Sequence, residues 1–335
     1  MKLLKDLDVV DKRVFLRADL DVPLEEGNVD IATRLTNVKP TVDNLVEHGA
    51  SQVIIAGHID RPTGPDPTKS TKNLLESLEK ILGQNVAFSE QLTTGGSFKD
   101  NKIILLENLR FWPGEEANDM DFAKKLAEMA DVYVNDAFGN CHRVHASMVA
   151  LPLLLPHAAG IHLEEEVNQL TKLVDQPQKP FVAIVGGAKI ETKIPVISNL
   201  CQIADWVLVG GELPIEIAKQ NLKFAENVVV GQLTDDGKDI NEATVGKFVS
   251  TIKDAKTIVW NGPLGLFEEG HVNGTLAIAD AIAQSGAYSV VGGGDSTQFL
   301  GTKGILSKFS FVSAGGGAML EFLSGKKLPA IEALS

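Results

Sequence analysis

The sequence has 335 residues, of which 44% are hydrophobic and 22% charged, and its formal net charge is −13. This length predicts two domains, each able to bury a core, and the acidic balance argues against a broad basic face that binds nucleic acid or a membrane surface. The cysteines, Cys141 and Cys201, are too few for a disulfide framework, and the charged N-terminal stretch predicts neither a signal peptide nor a membrane span, so we expect a cytoplasmic protein.

Short apolar, β-branched runs recur along the chain and predict strands. Their hydrophobicity is continuous rather than alternating, which is typical of strands buried on both faces of a parallel sheet. The runs are Arg13–Leu16, Gln52–Ala56, Lys102–Leu106, Asp131–Val134, Phe181–Val185, Trp206–Val209, Asn227–Val230, Thr257–Trp260, Tyr288–Val291 and Phe309–Val312.

Amphipathic segments of helical length lie between these runs. The clearest are Lys72–Leu82, Met120–Ala130, Lys193–Gln202, Ala243–Lys253 and Thr275–Ser285. Strand and helix in alternation predict an α/β fold of doubly wound, Rossmann-like parallel sheets, in which ligands gather at the carboxyl ends of the strands.

The stretch 151–179 interrupts this alternation. It opens with LPLLLPH, continues with an acidic helical run and ends with DQPQKP. We therefore place the connection between the domains here, with a bridging helix over Glu164–Val174. The expected division is an N-terminal lobe at 1–158, a hinge with its helix at 159–179, and a C-terminal lobe at 180–319.

Basic and imidazole side chains follow the predicted strands of the first half. A guanidinium group presents a planar fork of donors that matches a carboxylate or a phosphate, so several together predict an anion pocket. A single arginine is more often solvated or salt-bridged, but five strand-end segments share this bias. The residues in question are Arg17, Asp19, Arg34, His58, Arg61, Arg110, His142, Arg143 and His145.

Glycine clusters follow the predicted strands of the second half. A lone glycine pair is usually a turn, but four clusters at successive strand ends predict a nucleotide site, because glycine lets backbone N–H groups approach phosphates and helix N-termini favour negative charge. Lys189 and Lys193, four residues apart, are placed to face one phosphate chain, and Asp295 is placed to hold Mg²⁺. The clusters are Gly186-Gly187, Gly210-Gly211, Gly292–Gly294 and Gly315–Gly317.

Two common nucleotide fingerprints are absent from the sequence. It contains neither GxxxxGK[ST] nor GxGxxG, which argues against a Walker-type P-loop and against a dinucleotide or nucleotide-sugar enzyme of Rossmann type. A kinase of another lineage remains.

Longer motifs are distributed over the whole chain. They are RADLDVP at Arg17–Pro23, HIDRP around Arg61, LLENLRF at Leu105–Phe111, YVNDAFGNCHRVHAS at Tyr133–Ser147, GGAKIETKI at Gly186–Ile194, VWNGPLGLFE at Val259–Glu268, GGGDS at Gly292–Ser296, SAGGGA at Ser313–Ala318 and LPAIEALS at the end. Ordered strings of this length are very specific, and with them the chain resembles the phosphoglycerate kinase family from about Val14 to Ser335.

The resemblance implies a two-lobed enzyme of glycolysis and gluconeogenesis that transfers a phosphoryl group reversibly between 1,3-bisphosphoglycerate and ADP, giving 3-phosphoglycerate and ATP. It places the phosphoglycerate site in the N-terminal lobe, at Asp19, Leu20, Asp21, Arg34, His58, Ile59, Asp60, Arg61, Arg110 and Arg143. It places the nucleotide in the C-terminal lobe, at Lys189, Lys193, Gly210, Gly211, Asn261, Glu268, Gly292, Gly293, Gly294, Asp295 and Ser296.

The resemblance further implies Mg²⁺ at Asp295, a C-terminal tail at 320–335 that packs on the N-terminal lobe, and a monomer. The catalytic groups would be Arg34, Lys189, Lys193, Gly294 and Gly317.

The implied reaction needs few catalytic groups. The acceptor is already a carboxylate, so no general base is required, and catalysis reduces to bringing two anions together and neutralising charge on the transferring phosphoryl group. Arg34 and Lys189 or Lys193 are placed to do this, and the helix start at Gly315–Gly317 adds N–H donors. The lobes would have to close over the phosphate and reopen, so hinge-bending is expected.

The chain departs from the family pattern beside the expected phosphoglycerate site. Asp21 stands where the D-x-N motif has asparagine, and Asp60 stands where a His-Leu-Gly-Arg element has glycine. Pairing of each extra acid with a nearby arginine is the simple explanation.

A second departure concerns the expected nucleotide pocket. The GGG-Met-Ala turn reads GGELP from Gly210, and the segment from Gly211 to Trp260 is short, without the helix and Pro-Val-Asp strand that normally help to wall the pocket. These departures leave open a related protein that binds its ligands with weak or no turnover. Retention of Arg34, Lys189, Lys193 and Asp295 favours the enzyme.

Overall fold

The computed structural model describes residues 1–22, 24–25, 28–29, 33–93 and 98–335, and of residues 24, 25, 28, 29, 33 and 34 it describes the backbone. Two compact units divide the chain: residues 1–167 together with 327–335, and residues 168–326. Each unit has its own six-stranded parallel sheet with flanking helices. The predicted α/β class with doubly wound parallel sheets is confirmed.

The sheet of the first unit has the strand Arg13–Arg17 near its centre. The register aligns Arg17 with Ala56 on one side and with Asn135 on the other, so the segments after these three strands leave the sheet at the same edge. In spatial order the strands are Ala87–Ser89, Ile103–Leu106, Gln52–Ala56, Arg13–Arg17, Val132–Asn135 and His157–Ala159, all parallel.

Helices of the first unit cover this sheet with apolar side chains. Leu16 and Ile55 of the strands share one core with Val42, Leu45 and Leu78 of the helices. The α-helices are Thr33–Thr36, Lys39–Glu47, Leu75–Leu82, Pro113–Glu116, Met120–Ala127, Pro329–Glu332 and the start of Ile161–Val174, with a π-helical turn at Ala146–Ala150. The short 3-10 turns are Leu4–Asp6, Pro67–Lys69, Thr71–Leu74, Leu109–Phe111, Phe138–Asn140 and Leu151–Leu153, and the strands Leu24–Glu25 and Asn28–Val29 form an antiparallel pair.

The sheet of the second unit places four glycine-rich ends at one edge. Its register aligns Val185 with Val209 and Asn261, and Gly292 with Asn261 and Ser313, so the turns after these strands are neighbours. In spatial order the strands are Val228–Val230, Trp206–Val209, Phe181–Val185, Thr257–Asn261, Tyr288–Gly292 and Phe311–Ser313, all parallel.

Helices of the second unit pack on a core around Trp260, Phe248, Ile258 and Ile278, all fully buried. The α-helices are Ile190–Ile203, Leu213–Lys219, Glu242–Lys253, Asn273–Ser285, Gly294–Thr302, Gly316–Leu323 and the end of Ile161–Val174, and the 3-10 turns are Phe267–Glu269 and Leu306–Lys308.

Two parallel strands of the first unit were not predicted from the sequence. Ala87–Ser89 and His157–Ala159 have three residues each and form the two edges of the sheet. Every predicted run is a strand in the structure, with its ends shifted by at most two residues. Edge strands are short and only partly covered, so they lack the continuous apolar signal of the central strands.

The division between the units falls between Val167 and Asn168, inside the helix Ile161–Val174. The C-terminal residues belong to the first unit, where Lys2 donates its N–H to the carbonyl of Leu334 at 2.9 Å. Among the described residues, no helix is both long and apolar enough to cross a membrane.

The buried carboxyl group of Asp136 holds the start of the helix Ile161–Val174. Its Oδ1 accepts the N–H of Leu163 at 3.0 Å, and the Thr41 hydroxyl, which accepts the N–H of Ile161, is also hydrogen-bonded to it. Burial raises the pKa of Asp136 to about 6 from 3.8, and these hydrogen bonds oppose the rise. A raised carboxyl pKa contributes stability that is fully present below pH 3.8 and is lost as the pH rises through about 6.

We therefore expect Asp136→Asn to flatten the pH dependence of the free energy of unfolding, because the amide oxygen still accepts from Leu163 but the side chain no longer titrates. Between pH 4 and pH 7 the unchanged protein should lose about 2–3 kcal/mol relative to the variant. Urea unfolding at both pH values measures this difference. Parallel curves for the two proteins would assign the pH dependence to other groups.

Candidate functional site

The carboxyl edge of the first sheet brings several of the predicted anion-binding residues into contact. Arg17 Nη2 lies 2.9 Å from His58 Nδ1, and Asp21 Oδ2 lies 3.9 Å from His58 Nε2. Arg110 Nη1 donates to the carbonyl of Asp60 at 2.5 Å. The segments after three strands thus meet at one place, as parallel topology predicts.

The electrostatics of this edge are dominated by guanidinium groups. Burial, followed by Arg17 and Arg110, holds the pKa of His58 well below its usual value. Burial, with the same two arginines and Arg143, lowers the pKa of His145 to about 3. Both imidazoles are therefore neutral at physiological pH, so the positive charge at this edge comes from the arginines, and Glu115 and Glu116 offset part of it.

We call this carboxyl edge of the first sheet, with Arg17, His58 and Arg110, the first half-site. The other residues predicted for it are placed differently. Leu20 and Ile59 are buried in the apolar core, so any contact with a ligand would fall to their backbone groups. Arg61 is exposed, and its N–H donates to Asp60 Oδ1 at 2.8 Å. Asp19 is buried and accepts from Asn140 Nδ2 at 3.4 Å. The side chain of Arg34 lies outside the part of the chain that the structure describes; its backbone is in the helix Thr33–Thr36.

The two extra acids of this half-site have structural partners. Asp21 Oδ1 accepts the N–H of Asp60 at 2.8 Å, and the Asp60 carboxylate pairs with Lys69 rather than with an arginine. Asp60 has a φ of 54°, in the left-handed region. Aspartate is one of the few residues with a side chain that occupies this region readily, which accounts for its use where the family pattern has glycine.

We expect Asp60→Gly to leave the free energy of unfolding nearly unchanged. Glycine adopts the left-handed conformation without steric strain, and this gain offsets the loss of the ion pair between Asp60 and Lys69. Asp60→Ala should be less stable than Asp60→Gly by about 1 kcal/mol, since alanine keeps a Cβ in the left-handed region and makes no side-chain bond. Urea unfolding of both variants measures this. Equal stability of the glycine and alanine variants would contradict a conformational role for residue 60.

A buried network lies beneath the half-site; Arg17 was among the residues predicted for the anion pocket, whereas Ser147 and Glu115 were not singled out from the sequence. Arg17 is fully buried, and its Nε donates to Ser147 Oγ at 2.9 Å. Ser147 donates both its hydroxyl, at 2.6 Å, and its N–H, at 3.0 Å, to the fully buried carboxylate of Glu115. The sequence contained one signal: Arg17 directly follows the apolar residues Val14 to Leu16 of a strand, and a charge that is buried there needs a partner.

The glycine clusters of the second unit allow unusually close backbone packing. Gly211 has a φ of 66°, and a Cβ on it would lie 2.6 Å from the nitrogen of Gly187. A Cβ on Gly186 would lie 2.2 Å from the carbonyl oxygen of Pro263. At Gly210, a Cβ would lie 2.7 Å from the side chain of Leu264. These glycines are therefore required by the fold itself, and they hold three strand-end turns together.

Lys193 and Asn261 connect these turns through their side chains. The helix containing Lys193 begins at Ile190, three residues before the predicted start, so Lys193 lies in its first turn. Lys193 is buried, and its Nζ donates to Asn261 Oδ1 at 2.5 Å. Burial lowers the pKa of Lys193 to about 8, and the Asp295 carboxylate opposes this. Lys189, at the N-cap of the same helix, is exposed.

Two helix N-termini adjoin Asn261. The helix Gly294–Thr302 follows Gly293, whose φ is 104° and where a Cβ would lie 3.2 Å from the Asn261 amide. The helix Gly316–Leu323 starts close by, since a Cβ on Gly316 would lie 3.1 Å from the Cα of Gly293. Unpaired N–H groups at such termini favour an anion.

The remaining predicted residues of the second unit differ in exposure. Ser296 is buried, and its Oγ has no hydrogen-bond partner among the described residues. Gly317 lies in the first turn of the helix Gly316–Leu323. Glu268 is exposed in the turn Phe267–Glu269, which follows the strand Thr257–Asn261.

Asp295 is an exposed carboxylate in the first turn of its helix. Across the described ranges, no three His, Cys, Asp or Glu side chains cluster as the ligands of a metal ion. One exposed carboxylate beside a helix N-terminus is a ligand that Mg²⁺ commonly takes when its other ligands are phosphate oxygens and water.

The short segment between Gly211 and Trp260 contains the helices Leu213–Lys219 and Glu242–Lys253 and the edge strand Val228–Val230. Two of its large apolar side chains are exposed: Val230 by 37% and Ile215 by 36%.

The sequence was compared with models of known protein families. A family model described as phosphoglycerate kinase matches residues 4–229 and 216–326. The two matches overlap inside the short segment of the second unit.

Full-length relatives carry the same name. A phosphoglycerate kinase of Fervidobacterium nodosum is 39% identical over 391 aligned positions, covering 99% of this chain and 98% of that protein. One of Leptospira biflexa is 36% identical over 389 positions, covering 100% of this chain and 98% of that protein. Both alignments exceed the 335 residues of the chain, so it is a shortened relative.

Solved structures that resemble this fold also carry the name phosphoglycerate kinase. The structure of phosphoglycerate kinase from Coxiella burnetii has a TM-score of 0.84 at 32% identity, covering 100% of this chain and 99% of that one. The crystal structure of the enzyme from Pyrococcus horikoshii OT3 has a TM-score of 0.87 at 30% identity, covering 100% and 98%. The chain therefore belongs to the phosphoglycerate kinase family.

Proposed function

We propose that the chain catalyses reversible transfer of a phosphoryl group between 1,3-bisphosphoglycerate and ADP, giving 3-phosphoglycerate and ATP. The observation that carries the proposal is the presence of two anion half-sites of different chemistry. One is built from arginines around neutral imidazoles, which suits a small carboxylate or phosphate. The other is built from glycine turns, helix N-termini and a buried lysine, which suits a phosphate chain.

The chemistry of the first half-site fits an acceptor that is already ionised. His58 Nδ1 faces a guanidinium, which is always a donor, so this nitrogen is not free to take a proton from a substrate. His145 has a pKa of about 3 and is a poor base at neutral pH. A carboxylate acceptor needs no base, and catalysis then consists of positioning and charge neutralisation.

In this proposal each ligand has its own set of residues. The phosphoglycerate would contact Asp19, Leu20, Asp21, Arg34, His58, Ile59, Asp60, Arg61, Arg110 and Arg143. The nucleotide would contact Lys189, Lys193, Gly210, Gly211, Asn261, Glu268 and Gly292 to Ser296. Arg34, Lys189, Lys193, Gly294 and Gly317 would meet the charge of the transferring group.

Mg²⁺ would bind the Asp295 carboxylate and the nucleotide phosphates, and it would supply positive charge to the phosphate oxygens. We further propose that the protein acts as a cytoplasmic monomer in glycolysis and gluconeogenesis. Its two ligand sites would be brought together by hinge-bending, because transfer requires reacting atoms within about 3–3.5 Å.

The proposal is tested by incubating the protein with 3-phosphoglycerate, ATP and Mg²⁺ and coupling 1,3-bisphosphoglycerate to NADH oxidation. We expect turnover that depends on all three components and is strongly reduced in Arg110→Met, which removes a guanidinium from the first half-site. A folded protein that binds both ligands by calorimetry but forms no 1,3-bisphosphoglycerate would instead support the alternative, a binding protein with weak or no turnover.

The exposed apolar groups of the short segment predict weak discrimination between nucleotide bases. Three apolar residues of this segment, Leu213, Ile217 and Val230, are candidates to rebuild the pocket wall; Leu213 and Ile217 are buried in the fold, and Val230 is exposed. Apolar contact alone distinguishes bases poorly, whereas hydrogen bonds to base edges distinguish them strongly. We expect kcat/KM for ATP and GTP to differ by less than about tenfold. A difference of a hundredfold would show that the wall has been rebuilt with specific polar contacts.

A further inference from the structure

The buried network under the first half-site fixes the direction of its hydrogen bonds. A guanidinium carries five N–H donors and no acceptor, so every contact of Arg17 must be a donation. Its Nε donates to Ser147 Oγ, which leaves the Ser147 proton to be given to Glu115. Its Nη1 donates to the carbonyl of Ala18. Its Nη2 lies 2.9 Å from His58 Nδ1 and must donate there as well.

The contact with Arg17 therefore determines which ring nitrogen of neutral His58 carries the hydrogen. Since Nδ1 accepts from Arg17, the neutral ring carries its hydrogen on Nε2. Nε2 is on the side of the ring that faces Asp21, whose Oδ2 is 3.9 Å away and therefore too distant for a hydrogen bond. The Nε2–H group thus points into the half-site, where an anionic oxygen can accept from it.

Buried contacts fix the orientation of the Arg17 guanidinium next to the His58 ring. It is fully buried, as are Ser147 and Glu115, and His58 is only 2% exposed. Arg17 contacts its neighbour Ala18 and two residues distant in sequence, His58 and Ser147, so rotation of the guanidinium would break several buried hydrogen bonds together.

We propose that Arg17 is a positioning residue that sets the tautomer of His58, so that His58 acts as a fixed, neutral Nε2–H donor to the carboxylate or phosphate of the small acid. The assignment of that ligand rests on the function proposed above, whereas the tautomer itself does not. The opposite tautomer would present a lone pair to an anion and repel it. Burial and the surrounding arginines hold the pKa of His58 well below its usual value, so the ring stays neutral over the physiological pH range.

The tautomer is measured directly by NMR of the full chain labelled with ¹⁵N at histidine, without any ligand. We expect the His58 ring to show a protonated Nε2 and an unprotonated Nδ1. Addition of 3-phosphoglycerate, with no nucleotide present, should shift the Nε2–H resonance. A protonated Nδ1, or an average of both tautomers, would overturn the proposal, and a fixed Nε2–H that ignores 3-phosphoglycerate would overturn its ligand while leaving the tautomer in place.

Two substitutions of His58 separate donor position from general packing. The amide nitrogen of glutamine reaches the Nε2 position, and that of asparagine reaches the Nδ1 position. We expect His58→Asn to have a KM for 3-phosphoglycerate at least tenfold above that of His58→Gln, with kcat changed much less. Equal KM values in the two variants would contradict a role for the Nε2–H donor.

Replacement of Arg17 tests the origin of the tautomer. Arg17→Met leaves the Glu115 carboxylate buried without its cation, so the double variant Arg17→Met/Glu115→Gln is the informative one. We expect its His58 ring to lose the single-tautomer pattern. If the double variant does not fold, Arg17→Lys with Glu115 retained keeps a cationic donor beside the carboxylate, and its shorter reach toward Nδ1 should still mix the tautomers. An unchanged pattern in the folded variant would show that Arg17 does not set it.

Discussion

Glu115→Ala is expected to lower the free energy of unfolding by about 3–5 kcal/mol, because it removes the anion from a fully buried charge network. Glu115 has no exposed surface, and its oxygens accept both hydrogen bonds of Ser147. Burial raises the pKa of Glu115, while Arg17 and Ser147 act in the opposite direction to favour the carboxylate. Without it, the Arg17 guanidinium stays buried with no negative partner, and a cavity remains.

The neighbouring residue provides a matched control. Glu116 is half-exposed and lies 3.2 Å from Arg110 Nε, so Glu116→Ala should lower stability by less than about 1 kcal/mol. Glu115→Gln keeps the shape and one acceptor and should fall between the two. Urea unfolding of the three variants gives the comparison. Equal losses for Glu115→Ala and Glu116→Ala would show that the buried network contributes little to stability.

The central strands could be predicted from the sequence because each is a continuous apolar run between polar turns. Gln52–Ala56 and Phe181–Val185 are strands over the predicted ranges, with every residue buried. In each sheet, parallel topology places the carboxyl ends of the strands at one edge of that sheet, which is why His58 and Gly186 could each be assigned to a candidate site.

The Arg17 network could not be predicted in the same way. Arg17 and Ser147 are 130 positions apart, and Ser147 and Glu115 are 32 positions apart. No local pattern encodes that these side chains meet, because their distance is set by strand pairing and by the turn at Ala146–Ala150. The motif containing Arg17 indicated a strand end, but burial of its guanidinium depends on the tertiary structure.

The start of the Lys193 helix also depends on context. The sequence predicted a helix from Lys193, whereas it begins at Ile190 after the turn Gly186-Gly187. The residues outside the predicted range are Ile190, Glu191 and Thr192, and the two polar ones weaken the apolar pattern at the start of the helix. A lysine in the first turn of a helix lies beside the unpaired N–H groups of that turn.

Lys193→Met is expected to lower kcat/KM for ATP by about 10²–10³. The methionine keeps the length of the side chain but removes the charge that Asn261 and Asp295 face. Lys253 is exposed in the last turn of the helix Glu242–Lys253, so Lys253→Met is the matched control. It should change kcat/KM by less than about twofold. Similar losses in both variants would contradict the role of Lys193.

The low pKa of Lys193 adds a second, independent readout. Burial lowers this pKa to about 8, so the ligand-free protein loses the lysine charge as the pH rises through 8. Phosphate binding favours the charged form, and affinity for a nucleotide should therefore be fully present below pH 8 and decline above it, by up to about tenfold per pH unit. Calorimetric titration with ADP in the absence of Mg²⁺, from pH 6.5 to pH 9.5, measures the decline, and binding at pH 8.5 should be accompanied by proton uptake. In Lys193→Met the affinity should be lower and nearly independent of pH over this range, because the titrating group is gone. A decline that persists unchanged in the variant would assign the pH dependence to the nucleotide or to another residue and would separate Lys193 from phosphate binding.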